Sequence, residues 1–504
     1  MKPVSLPASA IPAAGLLLGI AGDFLLHGSD GPGLNMLLLV AGAAGATLLL
    51  HVRSGRTVET EFIASLAIGV LFAAGMAWRD SPALKLLALG CAGVAFALPA
   101  MRAGAAWIRN SGVMEYVAAL AGTAAHAGFG AAFALSELDW SPAGSGARAG
   151  TMRRRAAGVA RGAALASPFI IVFGALFVAA DAVFAGIVHD IVPDLETVMS
   201  HVLVTAFLAW IATGYLRGSL AGTRLDVLSF TARERPKLGI TETATALALL
   251  DLLFLAFVIV QLRYLFGGSG LVEVTPGLTF AEYARRGFFE LVTVAALVLP
   301  LLLAADWLLR RDTERDERVF RALAGLQILL VLAVTASALQ RMRLYQEAYG
   351  LTELRVYVTA VLILIAVVLL WFAATVLRSR RRSFAFGALV AGFATVAVLY
   401  TVNPDALITH TNVARLQSGD DARVHFDARY ATSLSADAVP ALLAALPTLP
   451  EGRRCYFARR LLQRWAPDEH VSVRSWSWSA ARARAEVRAH EGSLRRLAGQ
   501  GESC

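Results

Sequence analysis

VYVTAVLILIAVVLLWFAATVL occupies residues 356–377 and holds no charged side chain, with Arg355 before it and Arg378 after it. A helix needs about 20 mostly apolar residues to cross some 30 Å of hydrocarbon, so this stretch reads as a membrane span. The same pattern recurs at 10–27, 34–51, 60–78, 83–101, 163–188, 196–216, 243–266, 288–309, 323–340 and 384–402. In the first of these, the small residues Ala8, Ser9 and Ala10 precede the apolar stretch instead of following it, so an uncleaved helix is expected.

Composition points the same way. The chain has 504 residues, of which 57% are hydrophobic and 16% charged, with a mean hydropathy of +0.61. Soluble chains run at about a quarter charged, and a single aqueous core stops growing near roughly 250–300 residues. The surplus apolar surface needs a lipid bilayer as its partner. A soluble enzyme, a secreted disulfide scaffold and a disordered hub are excluded. Net charge is +9, carried almost wholly by arginine, the only lysines being Lys2, Lys85 and Lys237. Arginine clusters in a membrane protein mark cytoplasmic loops, so no nucleic-acid partner is expected.

Residues 113–135, VMEYVAALAGTAAHAGFGAAFAL, are long enough to cross but are built mainly of Ala and Gly and carry Glu115 and His126. Arginine placement arbitrates. Clusters stand at Arg53/Arg56, Arg102/Arg109, Arg148–Arg161, Arg217–Lys237, Arg310–Arg321 and Arg378–Arg382. All six share one face if 113–135 is re-entrant or interfacial. The expected fold is thus an all-α polytopic transmembrane bundle of eleven spans, or twelve in the alternative, with the N-terminus inside and the C-terminus extracytoplasmic. Residues 1–150 form N-terminal membrane helices, 151–402 the membrane core and 403–504 a small, mainly helical, polar outer domain. Within that tail, helices are expected at Ala438–Leu446, Arg454–Trp465 and Ala480–Leu497, and VSVRSWSW (471–478) alternates like a short strand. Cys455 and Cys504 both fall in it and are candidates for a disulfide, although Cys504 is the terminal residue.

No phosphate loop, HExxH, GxSxG elbow or EF-hand loop is present. No catalytic residue, cofactor or metal is expected, since none of the nine histidines is paired with another at i, i+3 or i+4. His126 and His201, in apolar surroundings, read as packed side chains. Intramembrane acids say more, because a carboxylate in hydrocarbon costs several kcal/mol and must face protein or a wet cavity. Asp23 interrupts the first span, and Asp181 and Asp251 lie within later ones as either helix contacts or proton-handling groups. Gly15/Gly19 and Gly214/Gly218 are GxxxG pairs that admit close helix approach, and Pro300 is expected to kink its span.

The strongest constellation lies at the outer boundary. Gln261, Arg263 and Tyr264 end one span; FAEYARRGFFELV (280–292) brings Glu282, Tyr283, Arg285, Arg286 and Glu290; and QRMRLYQEAYGLTELR (340–355) adds Arg341, Arg343, Tyr345, Tyr349, Glu353 and Arg355. Arginines fixed there suit an anionic ligand or lipid headgroup. Equally, they form an interfacial belt tying loops to helix ends.

LFVAADAVFAGIV, LLDLLFLAFVIVQLRYLFGG, SALQRMRLYQEAYGLTELRVY, NPDALITHTNVAR and LSADAVPALL, with FAEYARRGFFELV, together resemble bacterial integral-membrane proteins of the domain of unknown function 4173 type, with the related 4153 group as second choice. The likeness runs from about residue 160 to 480. It implies a multi-pass bacterial membrane protein with a polar C-terminal region and carries over no activity. Three functions remain in play: a non-enzymatic envelope sensing or scaffolding protein, a transporter using Asp181 or Asp251, and a membrane-embedded enzyme acting on a lipid-linked substrate.

Overall fold

The computed structural model describes residues 7, 9–103, 108–136, 195–221, 238–274, 288–417, 427–465 and 472–499, with scattered positions between 158 and 181. Among the described residues, eleven helices build the membrane part. They are α1 (Ala10–Leu26), α2 (Leu34–Arg53), α3 (Thr60–Trp78), α4 (Pro82–Ala103), α5 (Val113–Ser136) and α6 (Leu195–Ala221). There follow α7 (Ile240–Val274), α8 (Phe288–Leu308), α9 (Glu314–Tyr349), α10 (Glu353–Thr375) and α11 (Phe384–Val402). Ten of them are long and apolar enough to cross a membrane, and the 17-residue α1 packs beside them. Among the described residues there is no strand; the one isolated bridge joins Leu238 to Leu309.

Glycines set the helix crossings. A Cβ on Gly15 of α1 would lie 1.9 Å from Thr213 Oγ1, and one on Gly214 of α6 would lie 2.1 Å from the His126 carbonyl of α5. Gly22 meets Leu208, and along α5 Gly218 meets the His126 side chain while Gly130 meets Gly214. Both contact series run in opposite senses along the chain, so α6 is antiparallel to α1 and to α5. The segment containing 113–135 is therefore one continuous 24-residue helix packed along a span, and the re-entrant or interfacial path is corrected. Its low hydropathy reflects small residues facing α6, not a failure to cross. Ser136 and Leu195 consequently lie at the same end of the bundle. The expected span at 163–188 lies outside the described residues.

Large apolar side chains such as Leu71, Phe207, Leu297 and Leu329 are exposed on the outside of the bundle, as a surface facing acyl chains requires. The interior is close-packed around Phe320, Phe372, Leu302 and Leu369, all fully buried. At one end, the arginine clusters join the loops. Arg311 and Arg381 both reach Asp306, at 2.5 and 2.9 Å, and both reach Glu317, at 2.7 and 2.8 Å. The helix α9 has 36 residues, longer than the expected 323–340. Thr313 and Asp316 form a capping box at its start, and Gly350, at φ 75°, ends it.

The opposite end carries the tail. Its helices are α12 (Pro404–Gln417), α13 (Ala428–Ser433), α14 (Val439–Ala445), α15 (Glu451–Arg464), α16 (Trp478–Ala489) and α17 (Glu491–Gly499). They enclose Ile408, Leu442, Phe457, Ala483 and Leu494, with Leu351 and Val356 of the bundle packed against them. The helix expected over 480–497 is broken at His490. The strand expected at 471–478 is a 3-10 turn, Val473–Ser475, because Ser472 and Ser477 turn their hydroxyls onto the backbone amides of Arg474 and Ala480. Cys91 is free and Cys455 is disulfide-bonded; Cys504 lies outside the described residues.

Candidate functional site: a carboxylate seam between bundle and tail

The tail meets the bundle through buried acids. Helix α3 ends at Trp78, Arg79 is extended, and Pro82 opens α4, where its missing amide costs nothing. This tight turn aims Arg79 and Asp80 at the tail. Arg79 Nη1 donates to Asp437 Oδ1 at 3.1 Å and the Asp80 amide to Asp437 Oδ2 at 2.8 Å. Ser479 Oγ donates to Asp437 Oδ1 at 2.6 Å. Three donors from two parts of the chain thus hold one buried carboxylate. Arg79 also donates to the Tyr400 carbonyl at 3.1 Å, and Lys85 neutralises Asp80 at 2.8 Å.

Beside it stands Asp405, buried at the start of α12. Its Oδ2 accepts from the Ser435 amide at 3.1 Å and from the Ser435 hydroxyl, while Oδ1 is buried and the Glu353 carboxyl group stands against Asp405. Burial raises the Asp405 pKa, the Ser435 bonds pull against that, and the negative charges of Asp437 and Asp80 add to the rise. Glu353 turns toward the same seam, and its amide donates to Tyr430 Oη at 2.8 Å. Burial pushes the Tyr430 phenol up to about 12, so it stays protonated. Asn412 locks the loop before α10: its Oδ1 accepts from the Leu351 amide at 2.8 Å and its Nδ2 donates to the Leu351 carbonyl at 2.9 Å. The stretches AYGLTELR, NPDALITHTNVAR and LSADAVPALL therefore interlock in space.

The outer-boundary residues divide among several places. Arg285 and Arg286 lie outside the described residues. Glu290 and Arg341 line a cavity of about 450 Å³ between α7, α8 and α9, whose other walls are mainly apolar. There Gln261 Oε1 accepts from Arg341 Nη2 at 2.6 Å. Tyr345 lies 4.0 Å beneath the Arg355 guanidinium, which also donates to the carbonyls of Tyr349 and Gly350 at 3.1 and 2.5 Å. Arg355 thus closes the end of α9, and Glu353 belongs to the seam.

Of the intramembrane acids, Asp181 is exposed. Asp251 is 4% exposed, and neither of its carboxylate oxygens has a hydrogen-bond partner among the described residues. Gln327 on α9 is likewise buried, with neither amide atom partnered among the described residues. The parallel helices α7 and α9 touch through Gln261 and Ser337. Asp251 and Gln327 lie equally far before that contact, hence on one level of the bundle.

Sequence reasoning missed a further group. Asp23, His27 and His201 converge at the tail-facing ends of α1 and α6. The spacing of Asp23 and His27, one helical turn, was a legible signal; the arrival of His201 from α6 was not.

The fold and these buried polar groups define a polytopic, all-helical membrane protein. The chain matches the domain of unknown function (DUF4153) over residues 66–445 and belongs to that family, the second of the two resembling groups; the 4173 type is not shown. No curated protein and no solved structure matches it.

Proposed function

We propose that this multi-pass membrane protein is a non-enzymatic envelope protein that senses or scaffolds through its tail, which stands on the extracytoplasmic side. The observation that carries the reading is the seam: Asp437 of the tail is held by Arg79, Asp80 and Ser479, so tail and bundle act as one mechanical unit. Two features support the sidedness. Among the described residues, the arginines around Arg53, Arg310–Arg321 and Arg378–Arg382 lie at the end opposite the tail, and the disulfide at Cys455 suits an oxidising compartment. The cavity at Glu290 and Arg341 offers an apolar wall with a charged rim, which fits an anionic headgroup whose chains lie along α7 and α8.

The test is complementation of a deletion strain challenged with envelope stress. Asp437→Asn is expected to fail while accumulating to wild-type level in the membrane. Full complementation by that variant, or by a chain ending after Gln417, would refute a tail-based function. A reporter fused before Ala10 should read cytoplasm and one fused after Gly499 the outside; the reverse would overturn the orientation.

A transporter is the second reading. It is favoured by Asp251 and Gln327, buried and without hydrogen-bond partners among the described residues, on one level of the bundle. Proton flux into liposomes that is abolished in Asp251→Asn would support it over the first.

A further inference from the structure

We infer that Asp23, His27 and His201 form a binding site for a divalent first-row transition-metal ion of the zinc class. In the sequence DFLLH (23–27) the acid and the imidazole are one helical turn apart, on one face of α1. Helix α6 runs antiparallel along that face because Gly15, Gly19 and Gly22 admit Thr213, Ala209 and Leu208. The crossing delivers His201 to Asp23, with Nδ1 2.7 Å from Oδ2. His27 Nδ1 lies 3.7 Å from Oδ1 of the same carboxylate. One ligand atom from each residue lies within 4.8 Å of the others. Bonds of about 2.0–2.2 Å to nitrogen and oxygen bring such atoms onto one ion with small side-chain movement.

The surroundings are arranged as a ligand set requires. Ser200 Oγ donates to the Thr197 carbonyl at 2.9 Å, which leaves its lone pairs to accept. His27 Nε2 stands 3.4 Å from that oxygen. A proton held on Nε2 leaves the Nδ1 lone pair of His27 turned toward Asp23, the outer-shell device that fixes a metal-binding imidazole. Asp23 Oδ1 is buried and has no hydrogen-bond partner among the described residues. A buried, unsatisfied carboxylate oxygen is costly, and a cation at the Nδ1 edges of the two rings, beside that carboxylate, satisfies it. The two imidazoles stack with centroids 3.8 Å apart, which brings both rings to the same carboxylate. Neutral imidazoles are the form that ligates.

Two imidazoles and one carboxylate make the donor set of open zinc and non-haem iron or manganese sites, with further positions left for water. The site is reachable, since the His201 side chain is 44% exposed. It also lies under the tail. Arg474 donates to the carbonyls of Phe24 and His27 at 2.6 and 3.2 Å, which directs its charge onto backbone oxygens. An ion there clamps α1 to α6 directly beneath the tail's 3-10 turn. This inference stands apart from the sensing reading and from the seam.

The test uses the untagged full-length protein in nanodiscs, stripped with chelator and titrated with Zn²⁺ and with Mn²⁺. One equivalent of Zn²⁺ is expected by calorimetry and elemental analysis, with imidazole scattering in X-ray absorption. His201→Ala and Asp23→Asn should each weaken binding by at least about tenfold, and Ser200→Ala, which keeps all three ligands, by about tenfold. His490→Ala, on the exposed end of the tail, should leave it unchanged. Metal-free melting of each variant separates lost binding from lost folding: ligand variants should keep the wild-type midpoint and lose only the shift that Zn²⁺ produces. Absence of stoichiometric binding of either ion to the wild type, or binding that survives all three ligand-shell variants, would overturn the site.

Discussion

Arg79 and Asp437 are 358 residues apart in the chain and 3.1 Å apart in the fold. The carboxylate is 1% exposed and the guanidinium 15%, so the pair is shielded from salt and from water. It joins the α3–α4 turn to the tail beside Tyr400, in the last turn of the last span.

Arg79→Gln leaves the buried Asp437 charge with only its amide and hydroxyl donors. Breaking a buried pair by removing one partner costs about 3–5 kcal/mol. The expected outcome is a tail that is cut by added protease in intact nanodiscs while the spans stay protected. The double variant Arg79→Gln/Asp437→Asn should recover much of the loss, because no uncompensated charge remains. Equal protease resistance of wild type and Arg79→Gln would sink the latch.

Asp405 gives the docking a pH dependence whose sign follows from its environment. Its pKa in the folded protein is raised, chiefly by burial, above the value of the undocked side chain. Docking therefore binds a proton, and this contribution is complete below the ordinary Asp range, near about 3.9, and fades as pH rises through the raised value. Asp405→Asn removes that slope. Hydrogen exchange of α12–α14 should show the wild type losing protection with rising pH across this window relative to the variant. Parallel curves for the two proteins would show that Asp405 does not titrate on docking.

How much of this was readable in advance depended on range. Spans such as 34–51, 60–78 and 356–377 were legible because about 20 apolar residues in a row leave no other fate. Segment 113–135 stays ambiguous in the sequence because the Ala and Gly that lower its hydropathy are the residues that let Gly130 approach Gly214. VSVRSWSW has the alternation of a strand, but its serines bind the backbone locally, which alternation does not register. Asp405 and Asp437 lay inside NPDALITH and LSADAVPALL, yet their chemistry depends on Ser435, Arg79 and Ser479, and on burial that only the folded chain supplies. His201 meets Asp23 only because two helices cross.

Those crossings are themselves testable. A methyl group at Gly15 would collide with Thr213, and one at Gly214 with the His126 carbonyl. Gly15→Ala and Gly214→Ala should each lower the thermal midpoint and membrane abundance, since overpacking costs about 1–3 kcal/mol. Gly45→Ala, where nothing lies within 4 Å, should be neutral. Tolerance of all three equally would mean that α6 does not pack on α1 and α5 as described.

Asp251 separates structural from functional retention of a buried charge. The residue is 4% exposed within a span, and neither oxygen is hydrogen-bonded among the described residues. A carboxylate there costs about 2.5–3.5 kcal/mol on insertion scales, and a leucine of similar size would recover that cost and fill the same space. Asp251→Leu should therefore raise the melting midpoint in detergent, the opposite of what removing a structural contact does. Gln327→Leu should do the same, because its amide is equally unpartnered. If both variants are more stable and both lose ion or proton flux in liposomes, the polar level between α7 and α9 is kept for transport. Destabilisation by Asp251→Leu would instead show that the carboxylate holds a helix contact, and the transport reading would fall with it.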